Sequence, residues 1–267
     1  MLTYLTSLVV AGIVFSATRY GLSVTPGWGI TWAILAFLAS QISISLLMRR
    51  AVGRVQMNIQ DIMLDVQKRL EAKQQHFARH PMGSPKMMMQ QMEREQSAGL
   101  ERALQACDLY KPYYLWNPFL SGQVNAMKMA FNYQLKRFDE VDALLPKCVF
   151  FDPQTISMKM VRMYRNNDPG LEKFFRKKGA RLRKDACVLP VCLYAWILLK
   201  QGKNDEALKV LADAKKKTSD ETLVRNWEAL VNGRPKQFSN AGLGDMWYAL
   251  GLEEPKMPKV QQQYRFR

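Results

Sequence analysis

The sequence contains few of the residues from which catalytic and metal sites are built. Its 267 residues include 2 His and 4 Cys, and the cysteines form no Cys-x-x-Cys pair. A zinc site needs closely spaced Cys and His ligands, so no metal site is expected. Gly and Pro are not enriched, which excludes collagen-like and linker-dominated chains. No cofactor is therefore expected, and the thiols are predicted to be free and largely buried, as in a reducing compartment.

Nucleotide-binding and hydrolase motifs are also missing. Gly242 and Gly244 begin a pattern like that of a dinucleotide-binding loop, but Trp247 occupies the third glycine position and no strand precedes the segment. Neither a Walker loop nor a serine-hydrolase elbow occurs. We therefore predict a protein that is not an enzyme. The alternative is an enzyme or accessory subunit of a membrane complex whose active site has no recognised motif.

An uncharged apolar run extends from Trp28 to Met48. About 20 helical residues cross the hydrocarbon core of a bilayer, so this run is long enough to span it. Tryptophan favours the headgroup region, and Lys/Arg-rich flanks face the cytoplasm. The alternative is a buried core helix. The predicted membrane-anchor residues are Trp28, Trp32, Arg49, Arg50 and Arg54.

A second apolar stretch, Leu2 to Ala17, precedes this run. A signal peptide is the competing interpretation, but no Lys or Arg precedes the apolar stretch and the cleavage site is poor. Residues 1–48 are therefore predicted to form a transmembrane helical hairpin in the cytoplasmic membrane, with lipids as partners and the main domain in the cytoplasm. Within its two apolar stretches, Gln41 is the one strongly polar side chain and needs a hydrogen-bonding partner, either on the first helix or on another copy.

Residues 49–80 are predicted to form a juxtamembrane amphipathic helix. Its apolar residues, Val52, Val55, Ile59, Ile62 and Val66, recur at intervals of three and four. Such a seam is typical of a coiled coil, which would make the protein a homo-oligomer. The run is shorter than the three to four heptads of a convincing coiled coil, so a helix that packs on its own domain or lies on the membrane surface is favoured over dimerisation.

Two stretches lack a helical pattern. Residues 81–92 begin with prolines and a glycine and are predicted to be a linker that enters a Met-rich helix. Residues 255–267 are predicted to be a basic tail. Chain ends are commonly unpacked, but this tail ends in a set of aromatic and cationic residues suited to docking on a partner or a membrane: Tyr264, Arg265, Phe266 and Arg267.

From residue 93 onward, helical patterns alternate with short breaks and no alternating strand pattern occurs, so the fold class is all-α. The aromatic run Tyr110, Tyr113, Tyr114, Leu115 and Trp116 is predicted either to pack in the core or to form a peptide-binding surface.

A helix-turn-helix pattern is clearest after Val191. The first helix carries a small and then a large residue, a glycine marks the turn, and the second helix carries a small, a large and a small residue. The residues are Ala195, Leu198, Gly202, Ala207, Leu211 and Ala214.

This order resembles one repeat of the tetratricopeptide family. A weaker copy includes Val141, and Leu171 begins a degenerate copy between them, 30 residues after Val141 and 36 before Ala207. The resemblance implies that residues 93–254 form a TPR-like α-solenoid, in which stacked helix pairs create a binding groove. It thus implies a membrane-anchored scaffold that binds an unidentified protein partner.

The chain is strongly basic, with a net charge of +16. Such charge suits anionic lipid headgroups, an acidic protein partner, or a simply solvated face. No nucleic-acid-binding motif occurs, so nucleic acid is not an expected partner. The densest cluster, predicted to contact a partner or lipid, comprises Lys173, Arg176, Lys177, Lys178, Arg181, Arg183 and Lys184.

Overall fold

The computed structural model describes residues 2–21, 25–79 and 85–255, and these ranges contain helices and no strand. The chain divides into two compact units, Met1–Val149 and Phe150–Arg267. The all-α prediction is therefore confirmed. The helices are α1 (Leu2–Ser16), α2 (Pro26–Arg79), α3 (Pro85–Ala106), α4 (Leu120–Gln134), α5 (Phe138–Leu144), α6 (Pro153–Arg165), α7 (Leu171–Lys177), α8 (Val188–Lys200), α9 (Asn204–Lys215), α10 (Glu221–Val231) and α11 (Asp245–Tyr248).

Shorter helical turns connect several of these elements. A π-helical turn continues α1 over Ala17–Gly21, and a 3₁₀ segment, Cys107–Tyr113, follows α3. The remaining 3₁₀ turns are Leu145–Lys147, Gly179–Arg181, Lys184–Cys187, Pro235–Gln237 and Ala241–Leu243.

Two helices near the amino terminus are long and apolar enough to cross a membrane: Leu2–Gly21 and the early part of Pro26–Phe77. Their apolar side chains point outward. Leu8 is 68% exposed and Ile42 is 61% exposed. A core helix of a globular protein would bury such residues, so this exposure argues against the alternative of a buried core helix.

The helices α1 and α2 contact each other in antiparallel directions. The hydroxyls of Ser7 and Ser40 are 2.9 Å apart and share a hydrogen bond. Gln41 Nε2 donates to the carbonyl oxygen of Thr3 at 3.2 Å. Gln41 therefore finds its partner on the first helix of the same chain, which satisfies a polar group that would be unfavourable in lipid.

The apolar seam of the predicted juxtamembrane helix is covered from within the same chain. The helix α2 continues unbroken from Pro26 to Arg79, and its Ile59 and Val66 are buried. Ile59 belongs to a core cluster with Ala103 and Cys107. Packing on its own domain is thus the interpretation that the contacts support for this seam.

The α3 helix begins within the predicted 81–92 linker, because it starts at Pro85. Proline suits the first turn of a helix, where its missing N–H has no intrahelical partner. Residues 85–92 are therefore helical rather than part of a linker, and residues 80–84 lie outside the described ranges. The chain's contacts divide at Val149, within the stretch 93–254 that the sequence predicts as one repeat domain.

The same backbone turn ends four of the longer helices. In each turn one residue has a positive φ, between 52° and 76°. Its N–H donates to the carbonyl three residues earlier, and the next N–H donates to the carbonyl five residues earlier, at 2.8–2.9 Å. These paired bonds define a Schellman motif, which satisfies the last carbonyls of a helix. The positive-φ residues, spaced 31 to 35 positions apart, are Lys136, Asn167, Gly202 and Gly233.

Candidate functional site

The residues predicted as the repeat core lie at the contact between α8 and α9. Ala195, Leu198, Ala207 and Leu211 are each at most 2% exposed, and Ala214 is also buried. Gly202 has a φ of +76° in the turn between the two helices. These residues therefore hold the helix pair together, and of them Ala214 also lines the groove beside the pair.

That groove is a cavity of about 150 Å³ formed by residues from α7, α8, α9 and the turns between α7 and α8. Phe175, Val191 and Tyr194 supply its apolar floor. The rings of Phe175 and Tyr194 are stacked with centroids 4.1 Å apart. Burial raises the pKa of Tyr194 to about 12, so its phenol stays neutral at physiological pH.

Cationic side chains surround this floor. Arg176, Lys209 and Lys217 line the groove together with a single carboxylate, Asp213. Lys217 Nζ donates to the carbonyl of Ala180 at 2.8 Å, which fixes its position. The arrangement suits a ligand that has both an anionic group and apolar surface. The cations would pair with the anionic group, and the apolar floor would bury the apolar part of the ligand.

The electrostatics of two of these groups are set by close neighbours. Arg176 forms a 2.7 Å ion pair with Glu172 one turn earlier on α7, so part of its charge is neutralised. Lys216 approaches Asp213 at 2.8 Å, and its hydrogen bond holds the pKa of Asp213 below its ordinary value. Lys209 is therefore the groove cation whose charge we expect to be most available to a ligand.

The groove also contains a thiol, Cys187. Burial raises its pKa above the ordinary thiol value. Since the thiolate is the reactive form of cysteine, this position favours a packing role over a nucleophilic one.

The predicted basic cluster is only partly associated with this groove. Arg176 lines it, whereas Lys178 donates to the carbonyl of Phe150 at 3.4 Å and lies 5.6 Å from the ring centroid of Phe151. The remaining members are exposed and do not line the groove: Lys173, Lys177, Arg181, Arg183 and Lys184. Sequence reasoning missed Lys209, since a single lysine on α9 carries no pattern.

Side-chain hydrogen bonds to Glu253 and a buried asparagine pair stabilise the second unit. Trp196 and Trp247 donate their indole N–H groups to the two carboxylate oxygens of Glu253, at 2.8 and 2.9 Å. Asn226 and Asn240 are both fully buried and share a 2.8 Å hydrogen bond. Each of these donors is satisfied, so this region is a structural element rather than an open polar site.

A second cavity, of about 420 Å³, lies in the first unit at one end of α1 and the middle of α2. Its lining includes Tyr4, Gln41, Arg49 and the aromatic side chains Trp116 and Phe119. Of the predicted anchor residues, Arg49 lines this crevice, and Arg50 and Arg54 are exposed nearby on α2. Trp28 and Trp32 are exposed at the opposite end of the apolar run.

The remaining predicted contacts cannot be placed on either site. Tyr264, Arg265, Phe266 and Arg267 lie outside the described residues. Within the described ranges, no group of three or more His, Cys, Asp or Glu side chains comes together that could hold a metal ion. Comparison with family models, curated proteins and solved structures finds no match to this chain.

Proposed function

We propose that this protein is a membrane-anchored scaffold that binds an acidic protein segment in the groove formed by α7, α8 and α9. In this proposal, α1 and the apolar part of α2 form a transmembrane hairpin. Both ends of the hairpin face the cytoplasm, where the second unit recruits its partner. The observation that carries the proposal is the joint occurrence of two exposed apolar helices and a cation-rimmed apolar groove in one chain.

The orientation is supported by the distribution of charge around the hairpin. Arg49, Arg50 and Arg54 follow the apolar run of α2, and positively charged flanks are retained on the cytoplasmic side. Gln41 and Ser40 bond to α1, so the two helices can enter a bilayer without leaving these polar groups unsatisfied.

The TPR-like character of the repeats is supported by the repeated helix-ending turn. Its positive-φ residues recur every 31 to 35 positions, close to the roughly 34-residue period of tetratricopeptide repeats. Helix pairs with such a period stack into surfaces that bind other proteins. The stacking of all the pairs into one solenoid remains part of the proposal.

The partner's acidic character is supported by the groove itself. Lys209 and Lys217 line the same groove as Val191 and Tyr194. A peptide with a carboxylate next to an apolar side chain would pair its charge and bury its apolar surface together. A purely apolar peptide would leave the cations without a counter-charge.

Photocrosslinking from the groove tests this function in the cells that make the protein. The variant Val210→p-benzoylphenylalanine places a photoreactive group in the groove lining. We expect a covalent protein adduct that is lost when Lys209→Glu is added. The matched control Lys236→Glu changes the same charge on an exposed residue outside the groove and should leave the adduct intact. An adduct that survives Lys209→Glu, or the absence of any protein adduct, would contradict the proposed scaffold function.

A further inference from the structure

The segment 115–119 is attached to the first turn of α1. The N–H of Leu2 donates to the carbonyl of Leu115 at 3.2 Å. The hydroxyl of Thr3 donates to the carbonyl of Trp116 at 3.0 Å. Thr3 in turn accepts the hydrogen bond from Gln41 on α2. The segment therefore lies beside the end of the helix pair at which Arg49 and Arg50 follow the apolar run.

This segment exposes large apolar side chains. Leu115 is 68% exposed and Phe119 is 65% exposed, and the stretch Leu115–Phe119 contains no charged residue. Exposed apolar side chains are unfavourable in water when they form a continuous patch. Here they border the outward-facing apolar surface of α1 and α2, so the apolar surface of the helix pair continues onto this segment.

The crevice between the segment and the helices is lined by both apolar and cationic side chains. Tyr4 and Met48 on the helices and Trp116 and Phe119 on the segment supply apolar and aromatic surface, and Arg49 supplies a cation. Aromatic side chains favour the boundary between headgroups and acyl chains. A guanidinium binds phosphate through paired hydrogen bonds. At the boundary between headgroups and acyl chains, a phospholipid presents a phosphate that a guanidinium can bind and the first methylenes of its chains, which can contact aromatic side chains.

We propose that residues 115–119 form a third membrane contact, in which Leu115 and Phe119 enter the headgroup–acyl boundary of the cytoplasmic leaflet. The crevice of about 420 Å³ holds a phospholipid whose phosphate pairs with Arg49. The continuity with the apolar helix pair selects a lipid as the occupant rather than a protein. This inference rests on the proposed membrane anchoring.

Lipid photocrosslinking of the full chain, reconstituted in vesicles of phosphatidylcholine and phosphatidylglycerol, tests the contact. Three variants carry p-benzoylphenylalanine one at a time: Phe119→p-benzoylphenylalanine, Leu38→p-benzoylphenylalanine within α2, and Phe151→p-benzoylphenylalanine. Phe151 is the matched control, because it is an exposed phenylalanine in the second unit, 63% accessible. We expect lipid adducts by mass spectrometry at positions 119 and 38 and none at 151.

The three positions separate failure of this inference from failure of the anchor. An adduct at 38 without one at 119 overturns the third contact and leaves the anchor standing. A protein adduct at 119 in cells, or lipid adducts at both 119 and 151, also overturns it. Absence of adducts at both 38 and 119 overturns the anchor and the inference that rests on it.

The proposed pairing between Arg49 and the lipid phosphate is tested separately in the same vesicles. Arg49→Gln should reduce the share of phosphatidylglycerol among the adducts at position 119, because the cation that pairs with the anionic lipid is lost. The matched variant Arg69→Gln removes an exposed arginine further along α2 that does not line the crevice and should leave that share unchanged. An unchanged share in Arg49→Gln would overturn the assignment of the phosphate to Arg49.

Discussion

The contact between α2 and α3 offers a sharp test of the packing, because it depends on one glycine. A Cβ added at Gly99 would overlap Val66 Cγ2 and lie 3.1 Å from Cγ1. Val66 is 3% exposed, so its side chain cannot move into solvent without losing burial. Overpacking of this kind costs about 1–3 kcal/mol. Alanine also favours a helix over glycine by about 0.5–1 kcal/mol, so we expect Gly99→Ala to destabilise the first unit by about 0.5–2 kcal/mol.

The same contact predicts a specific rescue. Val66→Ala alone removes two buried methyl groups, worth roughly 1.6 kcal/mol in transfer free energy before any cavity effect. In the Gly99→Ala background the same truncation also removes the atoms that clash. The double variant should therefore be more stable than the sum of the single changes by about 1–3 kcal/mol.

Alkylation of Cys107 provides the assay. This thiol is fully buried in the first unit and Cys192 is fully buried in the second, so their labelling rates report opening of each unit separately. A factor of ten corresponds to about 1.4 kcal/mol. Gly99→Ala should thus accelerate labelling of Cys107 roughly 2- to 30-fold and leave the labelling of Cys192 unchanged.

The matched control is Gly53→Ala on α2. A Cβ at Gly53 meets nothing within 4 Å, so alanine should stabilise the helix by about 0.5–1 kcal/mol. A neutral Gly99→Ala variant, or an equal effect of Val66→Ala in both backgrounds, would refute the packing of α3 on this face of α2.

Three further predictions concern single groups. Burial raises the pKa of Cys107 from 9.0 to about 11. As pH rises through this interval, the thiol loses its proton in the unfolded chain before it does in the folded one, so the melting temperature of the first unit should fall. The melting temperature of Cys107→Ala should fall less steeply with pH. Glu253→Gln leaves one indole N–H without its carboxylate acceptor and should destabilise the second unit by about 0.5–1.5 kcal/mol in urea unfolding, unlike the neighbouring Glu254→Gln. Lys136→Gly should stabilise the first unit by about 1 kcal/mol, and Gly202→Ala should destabilise the second by a similar amount, since both residues have positive φ.

The sequence predicts those features that depend on local patterns. The apolar runs in α1 and α2 follow from composition alone, and a polar side chain in lipid predicts that Gln41 has a partner, although the sequence did not choose between the first helix and another copy. The turn at Gly202 is recognisable because glycine adopts positive φ readily. The corresponding turn at Lys136 was not predicted because lysine gives no sign of a positive φ, and the one at Asn167 was not predicted although asparagine favours that conformation more than most residues do.

Features that depend on distant contacts could not be predicted. The hydrogen bonds from Leu2 and Thr3 to the segment at Leu115 join residues more than one hundred positions apart, and no local pattern encodes such a contact. Lys209 enters the groove only because α9 packs beside α7 and α8. For the seam of α2, the sequence left dimerisation, packing on its own domain and contact with the membrane surface as alternatives, and the feature that favours packing is Gly99 on another helix.

Topology is the most direct test of the membrane-anchored scaffold, and two engineered thiols measure it. Thr25 lies between α1 and α2, and Glu254 lies near the end of the second unit; both are exposed. In intact cells, a membrane-impermeant maleimide should label Thr25→Cys, and it should label Glu254→Cys only after permeabilisation. Labelling of Glu254→Cys in intact cells, or protection of Thr25→Cys until permeabilisation, would contradict the account.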